Sequence, residues 1–279
     1  MTAPALAVLA LVIGYPIVRA IILSFYHYPL LSPFRNFIGA GNYQRLANDP
    51  VFWQSLVNTG IFTGASVVLG LLVGLVLALA LERLQGPWRF VRGVLLTPWA
   101  MPVIVVAFLF QFMFDEQGGI TDALLQRTGI VHHAIPWLTS PNWAMVAVTL
   151  ANVWQQAPFF LLIFTAALGG VPNEVIEAAR IDRARGWSMV ARIKLPYLRS
   201  AALVGALLMI IQNFNNFPLI WAMTEGGPGY STSTLVIYVY RLAFTSFNVG
   251  YSSAIGVVWL VLLLFIAGWF IRVLRGQNS

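Results

Sequence analysis

The sequence predicts an all-α polytopic membrane protein with six transmembrane helices, on three observations. Hydrophobic residues make up 59% of the chain and charged residues only 9%, against roughly a quarter charged in an ordinary soluble domain. The apolar residues gather into six runs, each long enough to cross about 30 Å of hydrocarbon as a helix of about 20 residues. The arginines fall between those runs, so the net charge of +7 reads as a topogenic signal and not as a nucleic-acid face. One membrane domain over residues 1–279 accounts for the whole pattern.

The runs lie near Ala3–Ser24, Val57–Leu81, Gly93–Phe114, Trp143–Leu168, Ala201–Trp221 and Tyr251–Ile271. An even number puts both termini on one side, and basic loop residues choose the side. One set of loops and termini holds Arg83, Arg89, Arg92, Arg180, Arg183, Arg185, Arg192, Lys194, Arg199, Arg272 and Arg275; the other holds Arg35, Arg45, Arg127 and Arg241. The first set, and with it both termini, is therefore expected to be cytoplasmic. The first run lacks a basic n-region and a clear cleavage site, so it reads as a retained helix. Arg19 near its outer end is expected to snorkel to the headgroups.

Local chemistry then sets each element. Gly39 and Gly41 allow turns in the external loop Phe34–Phe52. In the second run Gly60-x-x-x-Gly64 and Gly70-x-x-x-Gly74, with Ser66 and Ala78 on the second ridge, let backbones approach closely. Gly86-Pro87 turns the cytoplasmic loop Glu82–Arg92. Pro98 and Pro102 predict a distorted start to the third run, which carries Gln111 near its outer end. The external loop Glu116–Asn142 reads as a short amphipathic helix followed by an aromatic return, with Trp137 and Trp143 in an interfacial belt. Ser231–Phe244, in the last external loop, is expected to lie as a helix along the outer face.

Two clusters of amides fall inside spans. Asn152, Gln155 and Gln156 share one helical face ahead of Pro158, and Gln212, Asn213, Asn215 and Asn216 precede Pro218. Uncharged amides at membrane depth must face protein or a water-filled cavity. Two readings stand: amides bonding neighbouring helices, or, with Gln111 and aromatics such as Trp154, Phe214 and Phe217, the lining of a path for a neutral, hydroxyl-rich solute.

The densest charge lies in Val171–Tyr197, VPNEVIEAARIDRARGWSMVARIKLPY. A central Arg, Lys or Asp costs roughly 2.5–3.5 kcal/mol in hydrocarbon, so this stretch belongs in water or against a partner. Asn173 suits a helix cap, Glu177–Arg180 and Asp182–Arg185 suit i,i+3 pairs, and Trp187–Lys194 suits a second short helix closed by Pro196.

Within it, Glu177-Ala178-Ala179, then Ile193, Leu195 and Pro196, resemble the EAA signature of ABC importer permeases: Glu-Ala-Ala, three residues, Gly, nine residues, Ile-x-Leu-Pro. The motif's Gly falls on Arg183, flanked by Asp182 and Ala184. Gly41-Asn42-Tyr43, Asp49-Pro50 and the TEGGPGYSTSTLV stretch are also similar to external-loop signatures of sugar-type members. The chain is thus identified as resembling a carbohydrate-type permease of the maltose-transporter branch over nearly its whole length. That resemblance implies a type I importer fold forming half of a translocation path in a prokaryotic inner membrane. It implies four partners besides the bilayer: a second related permease, two cytoplasmic ATPases and an external solute-binding protein. Residues 171–197 would be the coupling loop, with Glu177, Ala178, Ala179, Asp182, Arg183, Gly186, Ile193, Leu195 and Pro196 carrying it. Since Arg in a left-handed conformation costs roughly 1–2 kcal/mol relative to Gly, the bend is expected to move to Gly186.

No catalytic residue, metal site or cofactor is expected in this chain. It has no G-x-x-x-x-G-K-[ST] loop, so ATP and Mg²⁺ would be used by the partner ATPases. The spans hold no acidic residue for a proton relay. His27, His132 and His133 lie in loops without companion ligands. An intramembrane transferase is the competing class; its nearest candidates, Asp115, Glu116 and Asp122, lack a matching His. Among solutes, a sugar, a glycerophosphodiester and a polyol all suit an amide lining.

Overall fold

The computed structural model describes residues 8, 10–31, 35–82 and 89–275. Gly86-Pro87, Arg83, Phe34 and most of the residues before Ala10 lie outside this range. Helix α1 (Ala10–Leu23) leads into a short hairpin, β1 (Tyr26–His27) antiparallel to β2 (Asn36–Phe37), then α2 (Gly41–Ala47). Helices α3 (Pro50–Leu81), α4 (Arg89–Ala100), α5 (Val103–Met113), α6 (Ile120–Arg127) and α7 (Pro141–Gly169) follow. Helix α8 (Asn173–Ile181) is the EAA segment; then come α9 (Trp187–Phe214), α10 (Phe217–Thr224), α11 (Leu235–Thr245) and α12 (Val249–Arg275). Among the described residues four helices, α3, α7, α9 and α12, are long and apolar enough to cross a membrane, and α4 with α5 makes a fifth if counted as one span. Helix α1 is shorter.

Two expected spans are broken. Helices α4 and α5 meet at 95°: Pro98 removes a ladder donor within α4, and Pro102 is extended at φ −56°, ψ 131°. The distortion foreseen at the start of the span is therefore a full break inside it. The fifth run stops at Phe214; Asn216 leaves helical geometry at φ −78°, ψ 80°, and α10 restarts with Pro218 in its first turn.

Helix α7 is the spine. Its Phe160 seats against the small ridge of α3, where Ser66, Gly70, Gly74 and Ala78 are all buried. A Cβ at Gly74 would sit 2.4 Å from the Phe160 Cβ and 2.9 Å from the Leu161 amide nitrogen, so only glycine admits this approach. Gly60 and Gly64 meet nothing within 4 Å; among the described residues, the second of the two small-residue motifs is the packing seam. Apolar cores line both halves of α7, one around Phe62, Phe110, Val148 and Ile220 and the other around Phe160, Phe164, Leu198 and Met209.

The outer end is tied by polar contacts. Asp49 caps α3 by accepting from the Val51 and Phe52 amides at 2.9 and 3.3 Å, and its other oxygen accepts from the Tyr238 and Tyr251 hydroxyls. Burial pushes its carboxyl up, but the bonds from Tyr238, Tyr251 and the two amides outweigh it and hold Asp49 below the ordinary carboxylate value. Trp137 is in the core and not an interfacial belt: it is 6% exposed, stacks on Phe114, and donates Nε1–H to Asp122 at 2.9 Å. Ser231–Thr234 are non-helical, with Thr232, Ser233 and Thr234 buried, so only Leu235–Thr245 of the expected outer-face helix is helical.

Candidate functional site: the amide knot and the charged loop

Four of the eight candidate amides form one buried knot. Asn152 Nδ2 donates to Ser66 Oγ on α3 at 2.8 Å and to Asn213 Oδ1 at 3.0 Å. Gln156 Nε2 donates to Asn152 Oδ1 at 3.1 Å and to Asn213 Oδ1 at 2.6 Å, and Asn216 Nδ2 reaches Asn152 Oδ1 at 2.9 Å. The knot joins α3, α7 and the break between α9 and α10. It leaves one acceptor, Gln156 Oε1, and one donor, Asn213 Nδ2, buried without a partner.

The other four sit elsewhere. Gln155 Nε2 donates to Met101 O at 3.2 Å, satisfying a carbonyl in the α4–α5 break. Gln111 Nε2 donates to Ala222 O at 2.8 Å, one of the orphan carbonyls at the end of α10. Gln212 and Asn215 are exposed, with Asn215 Nδ2 folded back on Ile211 O at 2.7 Å. Helix breaks inside a membrane need such donors, because freed backbone groups find no water there.

The charged loop is built differently. Helix α8 begins after Pro172; Asn173 is its first helical residue, and no side chain caps it. Its end is a Schellman closure: the Ala184 amide donates to Ala179 O at 2.8 Å and the Arg183 amide to Arg180 O at 3.1 Å. Arg183 takes φ +58° at the motif's glycine position, and Gly186 takes φ +54°. The bend has therefore not moved: Arg183 adopts the left-handed conformation itself, its cost met by the two closing bonds, and Gly186 adds a second turn. Pro196 does not close a helix either. Trp187–Phe214 runs on as one helix, with a π-wound turn at Val190–Lys194 just ahead of Pro196, where the ladder shifts and a missing N–H is tolerated.

Side chains of the loop face outward. Glu177, Ala178, Arg180, Asp182 and Arg183 are exposed, whereas Ala179 is buried and Ile193 and Leu195 are half-buried. Neither expected i,i+3 ion pair forms; the single salt bridge among the described residues joins Lys194 to Glu82 at the end of α3. Two large apolar side chains that the sequence reading passed over also point out, Ile181 at 82% and Trp187 at 75% exposure. Their position inside a charged loop was the available signal.

Residues 66–276 match the family described as binding-protein-dependent transport system inner membrane component. The chain belongs to that family. Among relatives, it is 34% identical to the sulfoquinovosyl glycerol transport system permease protein SmoG of Agrobacterium fabrum, covering 100% of this chain and 90% of that one. It is 32% identical to the trehalose/maltose transport system permease protein MalF of Thermococcus litoralis, covering 100% and 94%. Among solved structures, a chain of a bacterial alginate ABC transporter, crystallised with an alginate pentasaccharide-bound periplasmic protein, superposes with a TM-score of 0.85. At 20% identity, over 100% of this chain and 94% of that one, it shares the fold. As a member of this family of transport-system inner membrane components, the chain is a multi-pass membrane protein.

Proposed function

We propose that this chain is one permease half of an ATP-driven carbohydrate importer in a prokaryotic inner membrane, with six spans and both termini cytoplasmic. The solutes in the names of SmoG and MalF support the carbohydrate class, and the excess of arginine in alternate loops supports the orientation. A second related permease completes the path, and a solute-binding protein delivers solute from outside. Two ATPase subunits hold ATP and Mg²⁺; this chain supplies no catalytic group.

The observation that carries the coupling role is the outward face of α8. Glu177, Ala178 and Ile181 project from a short helix whose far end is closed by its own backbone. A small alanine beside a carboxylate and a bare isoleucine suits insertion into a cleft of another protein. Asp182, Arg183 and Gly186 shape the turn behind that face, while Ile193, Leu195 and Pro196 lead its movement into α9. For the solute, the exposed Gln212 and Asn215 line the path beside the α9–α10 break. The knot of Asn152, Gln156, Asn213 and Asn216 forms the wall behind them, with Gln111 and Gln155 bracing the adjoining helices.

Reconstitution tests this directly. Co-expressed with the ATPase and second permease of its importer, the chain is expected to yield a complex whose ATP hydrolysis rises with solute-loaded binding protein, and Glu177→Lys to abolish that rise without preventing membrane insertion. Unimpaired stimulation in Glu177→Lys contradicts the coupling role.

A further inference from the structure

Between the end of α3 and the charged loop lies a cleft of about 920 Å³, lined by Leu79, Ala80 and Glu82 on one side and by Ile176, Arg180, Arg185, Met189 and Lys194 among others on the opposite one. On the α3 side Leu79 and Ala80 continue the apolar surface of the span; on the loop side Ile176 and Met189 lie among the cationic groups. Lys194 is neutralised by Glu82. Arg180 and Arg185 are exposed and have no carboxylate partner among the described residues, which include all nine acidic residues of the chain. A third guanidinium, Arg92, donates from Nη2 to Leu81 O at 2.6 Å at the same end of α3.

An apolar wall next to unpaired guanidiniums, at the boundary of a span, is complementary to one kind of molecule: an anionic phospholipid. Its acyl chain would lie along Leu79 and Ala80 and its phosphate against Arg180 and Arg185. Guanidinium presents forked donors to phosphate oxygens, and basic pockets beside membrane helices on the cytoplasmic side take such headgroups. We infer that this cleft is a binding site for an anionic lipid of the inner leaflet. Its inner-leaflet side rests on the orientation proposed above. The lipid would bear on the coupling loop through Arg180, one turn from Glu177, so the charge of the bilayer would bias the seating of α8.

The test uses the full chain purified in detergent, offered phosphatidylglycerol or phosphatidylcholine and read by native mass spectrometry. Selective retention of phosphatidylglycerol is expected, with retention weakened roughly thirtyfold in the Arg180→Gln/Arg185→Gln double variant, both positions being exposed and neutral to folding. Equal retention of the two lipids, or unchanged retention in the double variant, overturns the site. Competition by inorganic phosphate at concentrations matching the lipid marks a soluble-anion site and overturns it too. So does loss of the lipid on assembly with the ATPases, since the cleft would then belong to a protein interface. Sidedness is read separately: labelling of Ile181→Cys from the outer face of intact cells overturns the inner-leaflet assignment and the importer topology together, and leaves the detergent result standing on its own.

Discussion

Asn152 on α7 and Glu177 on α8 are polar residues on consecutive helices with opposite surroundings. Asn152 is 0% exposed and takes part in four side-chain hydrogen bonds, one to Gln156 on its own helix and one each to Ser66, Asn213 and Asn216. Glu177 is exposed and has no hydrogen-bond or ion-pair partner among the described residues. The difference follows from the solvent each helix meets. In hydrocarbon a polar group must be satisfied within the protein, so polarity there is spent on holding helices and their breaks. At the aqueous face a charge can stay unpaired in the free chain, ready for another protein.

Four substitutions and one control sharpen or break this contrast, the four taken with the largest effect first. Gly74→Val puts side-chain atoms into the α7 backbone and is expected to cost about 3 kcal/mol or more, read as loss of the folded, monodisperse protein in detergent. Gly60→Ala is the control on the open side of the same helix and is expected to be neutral or slightly stabilising. Asn152→Leu removes the centre of the knot. With membrane hydrogen bonds averaging about 0.6 kcal/mol each, and partners left buried and unpaired, a loss of about 2 kcal/mol is expected in thermal unfolding. If Asn152→Leu is as stable as the parent, the knot is not structural.

Asp49 supplies a pH test outside the spans. Its folded carboxyl lies below the ordinary carboxylate value, so its contribution is complete above that ordinary value and is lost as pH falls through the folded one. Asp49→Asn is expected to lower stability by about 1 kcal/mol at neutral pH and to flatten the acid limb below about pH 4, followed by unfolding temperature against pH. The smallest effect is expected from Lys194→Met. Its partner Glu82 is partly exposed, so the loss is at most about 1 kcal/mol. The sharper readout is a looser loop, seen as faster amide exchange across Trp187–Lys194.

Much of this was legible from apolar length and small-residue spacing. The four long apolar helices, the ridge from Ser66 to Ala78 and the charged loop follow from local composition, and the EAA resemblance marked the family. The breaks were visible only as prolines: Pro98 and Pro102 announce a distortion, but neither its 95° size nor the Gln155 side chain that meets Met101 O from another helix is written in the local sequence. The amides were found by type, but their type could not sort the bracing ones from the rest, because a residue 64 positions away, Asn216 from Asn152, is not a sequence-local neighbour. Arg183 shows the same limit. Its intrinsic preference argued against a positive φ, and two backbone closing bonds overrode it. Ile181 and Trp187 look like core residues by type and are exposed by position.

The most direct measurement is thiol labelling of Ala178→Cys in a chain that has no native cysteine. In inside-out vesicles a membrane-impermeant maleimide is expected to label Cys at this position rapidly when the ATPase has been stripped and slowly once it is restored, with no labelling in right-side-out vesicles. Labelling from the outside, or a rate indifferent to the ATPase, contradicts the account.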